Sequence, residues 1–439
     1  MAADPRHLPD PCSVAPLTAP PDVEVRVPGG RSITNRALVA AALADGTSTL
    51  EGAGLSDDSE AMVDCLRALG AGIDVDAEAA RITVTGVAGR PRGPAQVFAR
   101  LSGTTSRFVT PVAALAGEPI TVDAAGPMRT RPMAELLTAL VDLGVDVVED
   151  GAAGHLPVTV TGPPTGREVA VPGTTSSQFL SGLLLAGGAA TAGLELRRTT
   201  DRLVSAPYVD MTRAVMGAFG VEVTERDGAL TVASGGYRAT TYRVEPDAAS
   251  AGYLLAAATM TGGRVRVPDL PSAALQADAA LVEVLAAMGA TVRRDGSGTE
   301  VTGPAPGPDG RVRLRGGTFD LTAFSDMAPT VAVLAALAEE AVEVIGVGFI
   351  RGKETDRIAA PVAELQRCGV FAEEADDGFV VRPGGAGPHG ATIDTYDDHR
   401  MAMSFALLGL VIPGIEVRDP GCVAKTFPDF FAVLDLLRG

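Results

Sequence analysis

The segment GKETDR, residues 352–357, places four charged side chains within five residues. It contains Lys353, one of two lysines in a chain that has 34 arginines. A lysine binds phosphate as a point charge, and the neighbouring Glu354 is of a type that transfers protons. The segment also fits an ordinary charged helix start, capped by Thr355 or Asp356 and otherwise solvated. The rest of the chain has to decide between these two interpretations.

Other basic side chains lie beside clusters of Ser, Thr, Asn and Asp. A ring of such cations suits phosphate and carboxylate groups, because Arg binds them in a bidentate way and Lys as a point charge. Two carboxylates within the ring could do acid and base work, one shielded by cations and one desolvated. The pattern indicates an enzyme that acts on more than one anionic group. The residues of this set are Arg31, Arg36, Arg107, Arg131, Asp326, Lys353, Glu354, Arg357, Arg400 and Lys425.

Two types of helix must position these residues, and each type recurs six times. The first type is amphipathic and ends at a glycine, which supplies the left-handed residue that stops a helix. Successive glycines of this kind are 69 to 80 residues apart. They are Gly70, Gly144, Gly220, Gly289, Gly369 and Gly439.

The second helix type is apolar on nearly every face, so it must be buried, and it opens on a polar cluster. Ordinary N-caps would explain the serines and threonines of these openings. They would not explain the arginines, since a cation is unfavourable at a helix N-terminus unless an anion binds there. The openings are Thr34-Asn35-Arg36, Thr105-Ser106-Arg107, Ser176-Ser177-Gln178, Asp247 to Ser250, Ser325-Asp326 and Asp397-Asp398-His399-Arg400.

Short Val-rich strands such as RITVTG and PVTVTG lie between the helices, which indicates an α/β chain. Six units favour two globules of three, with strands outside and the apolar helices in the middle. An open solenoid is the alternative. It is disfavoured because the polar openings differ chemically from copy to copy.

Composition and charge exclude several kinds of partner. The chain has 439 residues, of which 46% are hydrophobic, enough for two or three cores. Its net charge of -18 argues against a nucleic-acid or anionic-membrane surface, since both need a basic face. The least charged run, residues 169–194, is broken by Pro172 and several glycines, so we expect no membrane span. We expect residues 1–22 to form a loose tail, without the pattern of a signal peptide.

The cysteines lie far apart and form no CxxC pattern, so we expect no structural zinc site. They are Cys12, Cys65, Cys368 and Cys422. We expect a cytoplasmic protein with reduced thiols.

A series of motifs resembles, in the family's order, those of the 5-enolpyruvylshikimate-3-phosphate (EPSP) synthases. Each motif alone is weak, but the ordered set, which covers residues 28–430, is specific when it coincides with the repeat. The motifs are VPGGRSITNRAL, LSGTTSRF, MRTRPM, SSQFL, VSAPYVDMT, EPDAASAGYLLAAA, FSDMAPT, KETDR, DDHRMAM and AKTFPDF.

The resemblance implies an α/β fold, a two-domain inside-out α/β barrel made of six βαβαββ repeats, three per domain. The upper domain would span residues 29–244. The lower domain would combine residues 1–28 with 245–439. The two domains would close over a cleft.

The resemblance also implies a reaction of the shikimate pathway of aromatic amino acid and chorismate biosynthesis. The enolpyruvyl group of phosphoenolpyruvate would pass to the 5-hydroxyl of shikimate 3-phosphate, with release of phosphate, through a tetrahedral intermediate. The family uses no metal and no cofactor, and glyphosate would compete for its phosphoenolpyruvate site. We expect a monomer whose partners are these two small molecules, with no nucleic acid and no membrane.

Roles carry over from the family to the matching positions of this chain. Asp326 would take the 5-hydroxyl proton, and Glu354 would protonate the methylene carbon. The remaining catalytic candidates are Lys425, His399 and Arg31. The shikimate 3-phosphate contacts would be Arg31, Ser32, Arg36, Ser176, Ser177, Gln178, Ser205, Tyr208, Asp326 and Lys353. The phosphoenolpyruvate contacts would be Arg31, Gly103, Thr104, Arg107, Arg131, Gln178, Arg357, Arg400 and Lys425.

One departure from the family matters most. Arg31 stands where the family has a lysine, and Gly30 replaces the serine before it. Arginine can clamp phosphate but releases no proton at working pH, so any acid role of that lysine passes to Glu354 or Lys425. The favoured explanation is drift from lysine to arginine at this position, in a chain that has few lysines. The alternative is a related transferase that acts on another cyclic alcohol.

Two further alternatives remain open. A second enolpyruvyl transferase family, which acts on UDP-N-acetylglucosamine, shares the architecture but has a different lysine-asparagine signature and usually a loop cysteine. No cysteine lies between Cys65 and Cys368 here. A non-catalytic binder of phosphorylated ligands would not need Asp326 and Glu354 inside a ring of cations.

Overall fold

The computed structural model describes residues 8–200, 205–384 and 387–439. Their contacts divide the chain into two compact units. The first unit spans Gly29–Glu245, and the second consists of Pro246–Gly439 and the N-terminal residues up to Pro28.

Short strands alternate with helices along both units. The strands are β1 (Cys12–Val14), β2 (Asp22–Glu24), β3 (Thr47–Glu51), β4 (Gly72–Asp76), β5 (Arg81–Thr85), β6 (Ala95–Phe98), β7 (Ile120–Asp123), β8 (Asp146–Glu149), β9 (Val158–Thr161), β10 (Glu168–Val171), β11 (Leu194–Arg198), β12 (Val223–Arg226), β13 (Ala229–Val232), β14 (Thr241–Arg243), β15 (Arg264–Pro268), β16 (Thr291–Asp295), β17 (Gly298–Thr302), β18 (Gly317–Asp320), β19 (Val342–Ile345), β20 (Phe371–Ala375), β21 (Gly378–Arg382), β22 (Thr392–Ile393) and β23 (Ile415–Val417). The helices are α1 (Arg31–Leu43), α2 (Asp57–Ala68), α3 (Gly103–Ala113), α4 (Gly126–Arg129), α5 (Ala134–Asp142), α6 (Ser177–Gly187), α7 (Pro207–Ala218), α8 (Ala248–Thr261), α9 (Leu281–Ala287), α10 (Ala328–Ala335), α11 (Ala359–Arg367), α12 (His399–Gly409) and α13 (Phe430–Asp435).

Three four-stranded sheets of the first unit share one topology. In the sheet of order β6-β7-β9-β8, β6 runs parallel to β7 and the other neighbours are antiparallel. The sheet β10-β11-β13-β12 has the same arrangement. In the sheet β14-β3-β5-β4, the parallel strand β14 comes from the C-terminal end of the unit. The unit therefore closes on itself as three βαβαββ repeats.

The predicted buried helices of the first unit are α1, α3 and α6, and they contact one another. In α1, every residue from Ile33 to Leu43 is buried. Gly182 of α6 lies so close to α3 that an added Cβ would be 2.3 Å from the carbonyl oxygen of Arg107. Only glycine permits this approach of the two helices. The strands lie outside these helices, as the sequence predicts.

The glycine stops that the sequence predicts are confirmed. Each amphipathic helix passes into a glycine whose φ is positive, which is the conformation that ends a helix with least strain. The φ angles are 99° at Gly70, 81° at Gly144, 82° at Gly220, 118° at Gly289, 79° at Gly369 and 89° at Gly439.

The second unit repeats this architecture with one difference. The sheets β18-β19-β21-β20 and β16-β17-β15-β2 have the same topology, and β2 brings the parallel strand of the latter from the N-terminal residues. The third sheet, β1-β23-β22, has three strands. Here α13 occupies the end of the repeat, and β1 pairs antiparallel with β23 in place of a following hairpin.

The prediction of a loose N-terminal tail was wrong for the residues that the structure describes. Besides the pairing of β1, the amide of Leu17 donates to the carbonyl of Leu410 at 2.9 Å. Arg438 Nη2 donates to the carbonyl of Ala15 at 2.8 Å. An acidic, Pro-rich composition does not indicate such backbone pairing, so the sequence pattern did not predict it. Residues 1–7 lie outside the described residues.

The central helices of the second unit are α8, α10 and α12, which also contact one another. All 14 residues of α8 are buried. Within the described residues, no helix combines the length and the apolar character that a membrane crossing needs.

Candidate active site

The charged residues predicted in the second unit form one connected network beside the N-terminal ends of α10 and α12. Asp326 lies on the 3₁₀ turn that precedes α10, and the GKETDR segment precedes α11. Lys425 ends a 3₁₀ turn near the C-terminus. Because all these segments lead into or contact buried helices, the apolar packing of the unit positions the network.

Asp326 is the centre of this network. Lys353 Nζ donates to its Oδ1 at 2.5 Å, Arg357 Nη1 to the same oxygen at 3.0 Å, and Arg400 Nη2 to Oδ2 at 2.7 Å. Burial would raise the pKa of Asp326, but Arg400, Lys353 and Arg357 together hold this pKa well below its usual range. The carboxylate is therefore ionised at neutral pH. It becomes a stronger base when those cations are drawn towards another anion.

Glu354 lies between two cations of the same network. Lys425 Nζ donates to its Oε1 at 2.5 Å, and Arg357 Nη2 donates to its Oε2 at 2.8 Å. The side chain retains 19% of its exposure, so a ligand can reach it. A carboxylate in contact with an ammonium and open to a ligand is placed to pass a proton.

Arg357 joins these two carboxylates to a third, Asp398. Arg357 donates to Asp398 from Nε at 2.7 Å and from Nη2 at 3.1 Å. Burial would lower the pKa of Arg357, but Asp398, Glu354 and Asp326 raise it, so the guanidinium stays charged. The fully buried Asp398 also accepts from the amide of Arg400 at 2.9 Å, which caps α12.

The sequence names Asp398 only as part of a helix opening and assigns it no site role. The signal that could have found it is an aspartate directly before the two basic residue types, His399 and Arg400, at the start of a helix that must be buried. A buried cation in such surroundings needs an anion nearby. Asp398 meets this need for Arg357.

His399 is buried, and neither ring nitrogen has a hydrogen-bond partner within the described part of the chain. Its Nδ1 lies 3.7 Å from Asp398 Oδ1. Burial, followed by the charges of Lys425, Arg400 and Arg357, holds the pKa of His399 well below its usual value. The imidazole is therefore neutral at pH 7 and has no imidazolium proton to give.

Counted over the described residues alone, the network carries a net positive charge. Its cations are Lys353, Arg357, Arg400 and Lys425, and its carboxylates are Asp326, Glu354 and Asp398. One of these cations, Lys353, has a pKa below its usual value, mainly because it is buried. Four cations against three carboxylates leave the network able to accept a further anion.

The interpretation of GKETDR as a helix start is correct for Asp356 alone. Asp356 Oδ1 accepts hydrogen bonds from the amides of Ile358 and Ala359, each at 3.0 Å, at the start of α11. Asp356 thus serves as an ordinary helix-start carboxylate, whereas Thr355 does not cap the helix. The other three charged residues of the segment belong to the network.

In the first unit, Arg36 is buried and held by neutral oxygens. Nε donates to Thr212 Oγ1 at 2.7 Å, Nη1 to the carbonyl of Ser32 at 2.8 Å, and Nη2 to the carbonyl of Tyr208 at 3.1 Å. The guanidinium also stacks on the ring of Phe108, 5.1 Å from its centroid. Burial lowers the pKa of Arg36 to about 10, which still leaves it charged at pH 7.

Arg107 and Gln178 form a second polar group in this unit. Arg107 Nη1 donates to Gln178 Oε1 at 2.7 Å and lies 3.4 Å from Ser176 Oγ. Gln178 Nε2 donates to Thr104 Oγ1 at 3.1 Å. Ser176 caps α6, as predicted, by accepting from the amide of Gln178. The starts of α3 and α6 therefore share one set of hydrogen bonds.

Arg131 lies beside Gly103 and next to the same group. A Cβ at Gly103 would lie 3.1 Å from Arg131 Nη1 and 3.7 Å from Gln178 Oε1. Arg107 Nη2 donates to the carbonyl of Pro132, directly after Arg131, at 3.3 Å. A side chain at position 103 would displace the Arg131 guanidinium by a few tenths of an ångström.

Three further predicted residues of the first unit lie at or just before the starts of α1, α6 and α7. Arg31 Nε lies 3.6 Å from the carboxylate of Asp58. Ser177 is buried in the first turn of α6. Ser205 has a left-handed backbone, with φ 52°, and its carbonyl accepts from the amide of Tyr208.

Two predicted helix openings need correction. Helix α1 begins at Arg31, so Thr34 ends its first turn, and Asn35 and Arg36 lie on its second turn. Helix α3 begins at Gly103 with Ser102 as its cap, which places Arg107 on the second turn as well. The apolar character of α1 starts later than its hydrogen bonds do, so the hydrophobic pattern missed the first turn.

Comparison with known proteins gives a consistent result. A family profile described as EPSP synthase (3-phosphoshikimate 1-carboxyvinyltransferase) matches residues 18–434. A 3-phosphoshikimate 1-carboxyvinyltransferase from Nostoc punctiforme is 42% identical over 426 residues, which cover 96% of this chain and 98% of that relative.

Two solved structures share the fold. An EPSP synthase from Acinetobacter baumannii matches with a TM-score of 0.80 at 24% identity, over 96% of this chain and 97% of that one. The enolpyruvyl transferase NikO from Streptomyces tendae matches with a TM-score of 0.73 at 18% identity, over 97% and 96% of the two chains. At these identities the likeness concerns the fold alone.

Proposed function

The chain belongs to the EPSP synthase family, and from this membership we infer that it is a 3-phosphoshikimate 1-carboxyvinyltransferase. It transfers the enolpyruvyl group of phosphoenolpyruvate to the 5-hydroxyl of shikimate 3-phosphate and releases phosphate. The observation that carries the mechanism is the second-unit network, in which the carboxylates of Asp326 and Glu354 are enclosed by cations.

The reaction needs one base and one acid. In the addition, the 5-hydroxyl oxygen bonds to C2 of phosphoenolpyruvate, and the hydroxyl proton goes to a base. The electron pair of the C2–C3 double bond takes a proton at C3, so C3 becomes a methyl group. In the elimination, this methyl group loses a proton, the double bond forms again, and the C2–O bond to phosphate breaks with its electron pair on phosphate.

We assign the base of the addition to Asp326 and the proton transfer at C3 to Glu354. Asp326 is ionised in this structure, and it gains basicity when substrate anions share its cations. Glu354 can receive a proton from Lys425, 2.5 Å away, and pass it to C3. In the elimination the same carboxylate takes one of the three methyl protons. His399 contributes as a neutral imidazole only, because its pKa lies well below its usual value.

The departure at Arg31 fits this division of roles. A guanidinium releases no proton at working pH, so Arg31 can bind an anion but cannot serve as the acid. Glu354 and Lys425 then carry out the proton transfers in which the family lysine would otherwise take part.

We assign the binding roles unit by unit. In the first unit, Arg36 suits the phosphate of shikimate 3-phosphate, because it brings a full positive charge and its partners among the described residues are neutral. The proposed contacts to this substrate are Arg31, Ser32, Arg36, Ser176, Ser177, Gln178, Ser205 and Tyr208, with Asp326 and Lys353 from the second unit. The proposed contacts to phosphoenolpyruvate are Arg31, Gly103, Thr104, Arg107, Arg131 and Gln178, with Arg357, Arg400 and Lys425 from the second unit.

We also propose that the chain acts as a monomer in the cytoplasm. Its four cysteines are free, which supports a compartment that keeps thiols reduced. Light scattering at working concentration would test the monomer, and a dimer mass would overturn that part of the proposal.

A transferase that acts on another cyclic alcohol is the second candidate. The comparisons do not favour it, but the same fold serves NikO, a protein named only as an enolpyruvyl transferase. Fold alone does not select the acceptor. The acceptor must therefore be tested directly.

The test is phosphate release from phosphoenolpyruvate with different acceptors. We expect release with shikimate 3-phosphate and none above background with shikimate or UDP-N-acetylglucosamine. Faster release with either of the last two would replace the proposed acceptor. No release with any acceptor would contradict a catalytic role.

A further inference from the structure

Thr212 has no assigned role, yet its hydroxyl lies at the meeting point of three helices of the first unit. It accepts from Arg36 Nε of α1 at 2.7 Å. It also lies 2.8 Å from Ser181 Oγ of α6 and 2.8 Å from the carbonyl of Tyr208, one turn earlier on its own helix α7. Thr212 is fully buried, so water cannot replace these contacts.

The donor and acceptor capacity of this hydroxyl fixes its role. A hydroxyl has one proton, which here goes to Ser181 or to the Tyr208 carbonyl, and its lone pair receives the Arg36 Nε–H. Ser181 Oγ itself lies 3.5 Å from Arg36 Nη2, a long contact. Thr212 is therefore the acceptor that holds the Nε edge of the guanidinium.

Arg36 depends on such acceptors, because none of its hydrogen-bond partners among the described residues is a carboxylate. Its Nη1 donates to the Ser32 carbonyl and its Nη2 to the Tyr208 carbonyl. A guanidinium has five N–H groups in a fixed fork. After these bonds, one Nη1–H and the full positive charge remain for an anion. The other hydrogen bonds of the guanidinium determine the direction of this N–H.

We propose that Thr212 is a positioning residue for the shikimate 3-phosphate site, which it serves by orienting Arg36 and by tying it to Tyr208. The proposal rests on the proposed function, since Arg36 and Tyr208 are both assigned to this substrate. Thr212 itself touches no substrate. It contributes through the direction of the remaining Arg36 N–H and through the turn that carries Tyr208.

Thr212→Val removes the hydroxyl and keeps the shape of the side chain. We expect the Kd for shikimate 3-phosphate to rise by about tenfold or more, because a hydrogen bond to a charged, buried donor is lost. The interaction with Arg36 is the same before and during the reaction, so kcat should stay within about twofold. Isothermal titration and steady-state kinetics with both substrates measure these quantities.

Two variants separate orientation from simple packing. Thr212→Ser keeps the hydroxyl, and we expect its Kd to lie within about threefold of the wild type. Thr110→Val is the matched control, because Thr110 is equally buried and donates to the Ser106 carbonyl one turn earlier, at 2.7 Å, in α3 of the same unit. Its Kd should equal that of the wild type. If Thr212→Val fails to fold, as judged by its melting curve, Thr212→Ala removes the hydroxyl without a β-branched side chain.

The outcomes distinguish this inference from the proposed function. A wild-type protein that binds shikimate 3-phosphate, with Thr212→Val binding equally well, overturns the inference alone. An equal loss in Thr212→Val and Thr110→Val, or a fall in kcat as large as the rise in Kd, shows a packing effect and also overturns it. A wild-type protein that does not bind shikimate 3-phosphate overturns the proposed function and the inference together.

Discussion

Asp326 and Glu354 both accept hydrogen bonds from Arg357, but their other partners give them different chemistry. Asp326 has two further cations, Lys353 and Arg400, which keep it ionised. Glu354 accepts a further hydrogen bond from the ammonium of Lys425, which carries protons that can be exchanged. At the scale of single residues, these contacts support our proposal that Asp326 is the base and Glu354 the proton carrier.

The first prediction concerns the carboxylate of Glu354. Glu354→Gln keeps the shape but cannot carry the proton, so we expect turnover to fall by about 100-fold or more, the usual contribution of a positioned acid or base. Shikimate 3-phosphate should still bind, which titration would show. Glu374→Gln is the matched control, because Glu374 pairs with Arg351 at the surface of the same unit. Turnover of Glu354→Gln equal to that of this control would remove Glu354 from the mechanism.

The second prediction concerns stability against pH. Because the pKa of buried His399 lies well below its unfolded value of about 6.5, only the unfolded chain takes up this proton as pH falls. Stability from this group is therefore fully present above about pH 6.5 and is lost below it, by at most about 1.4 kcal/mol per pH unit.

Urea unfolding between pH 7.5 and 5.5 measures this effect. His399→Asn should lose less stability over the range than the wild type. His389→Asn, at an exposed histidine, is the control variant. A slope that is the same in His399→Asn and the wild type would mean that His399 takes up a proton in the folded state.

At the scale of elements, two helix starts use the same residue type for different purposes. Asp398 at α12 and Asp356 at α11 each accept from backbone amides and each pair with an arginine. The pair of Asp398 with Arg357 is buried, whereas that of Asp356 with Arg351 has about a third of each side chain exposed. Burial determines how much the loss of each charge changes the free energy of unfolding.

The third prediction compares Asp398→Asn with Asp356→Asn. An asparagine keeps an oxygen for the cap in both, so the change tests the charge. We expect Asp398→Asn to lower the free energy of unfolding by about 3 kcal/mol, because it leaves the buried Arg357 without its bidentate partner. Asp356→Asn should cost less than about 1 kcal/mol.

The same two variants also test function. Arg357 should turn further towards Glu354 and Asp326 when Asp398 is neutralised, so kcat/KM for phosphoenolpyruvate should fall in Asp398→Asn and stay near the wild-type value in Asp356→Asn. Equal losses of stability and activity in the two variants would contradict the network described here.

The elements also show what the sequence can and cannot predict. Glycine stops such as Gly70 were predictable because a positive φ strongly favours one residue type. The start of α1 was not, because Arg31 and Ser32 are polar and interrupt the apolar pattern that marks the helix. Asp326 was selected from its place at a polar helix opening, and the resemblance added its proposed role. Thr212 was missed, because its role depends on a contact 176 residues away in the sequence.

At the scale of the whole molecule, each unit is completed by a strand from a distant part of its chain. β14 joins β3 in the first unit, and β2 joins β15 in the second. The repeat predicted three copies per unit. It could not predict that β1 takes the place of a hairpin in the sixth copy, because three-residue strands carry almost no periodicity.

The measurement that tests the central claim most directly is the transfer reaction run in D2O with phosphoenolpyruvate and shikimate 3-phosphate. Addition brings a solvent-derived proton to C3, and elimination removes one of three hydrogens from the methyl group. We therefore predict deuterium on the methylene carbon of the enolpyruvyl product, detected by mass spectrometry and proton NMR. In Glu354→Gln, this product should form more slowly, in step with the fall in turnover. An enolpyruvyl product formed at the wild-type rate without deuterium would contradict protonation at C3 and with it the assigned mechanism.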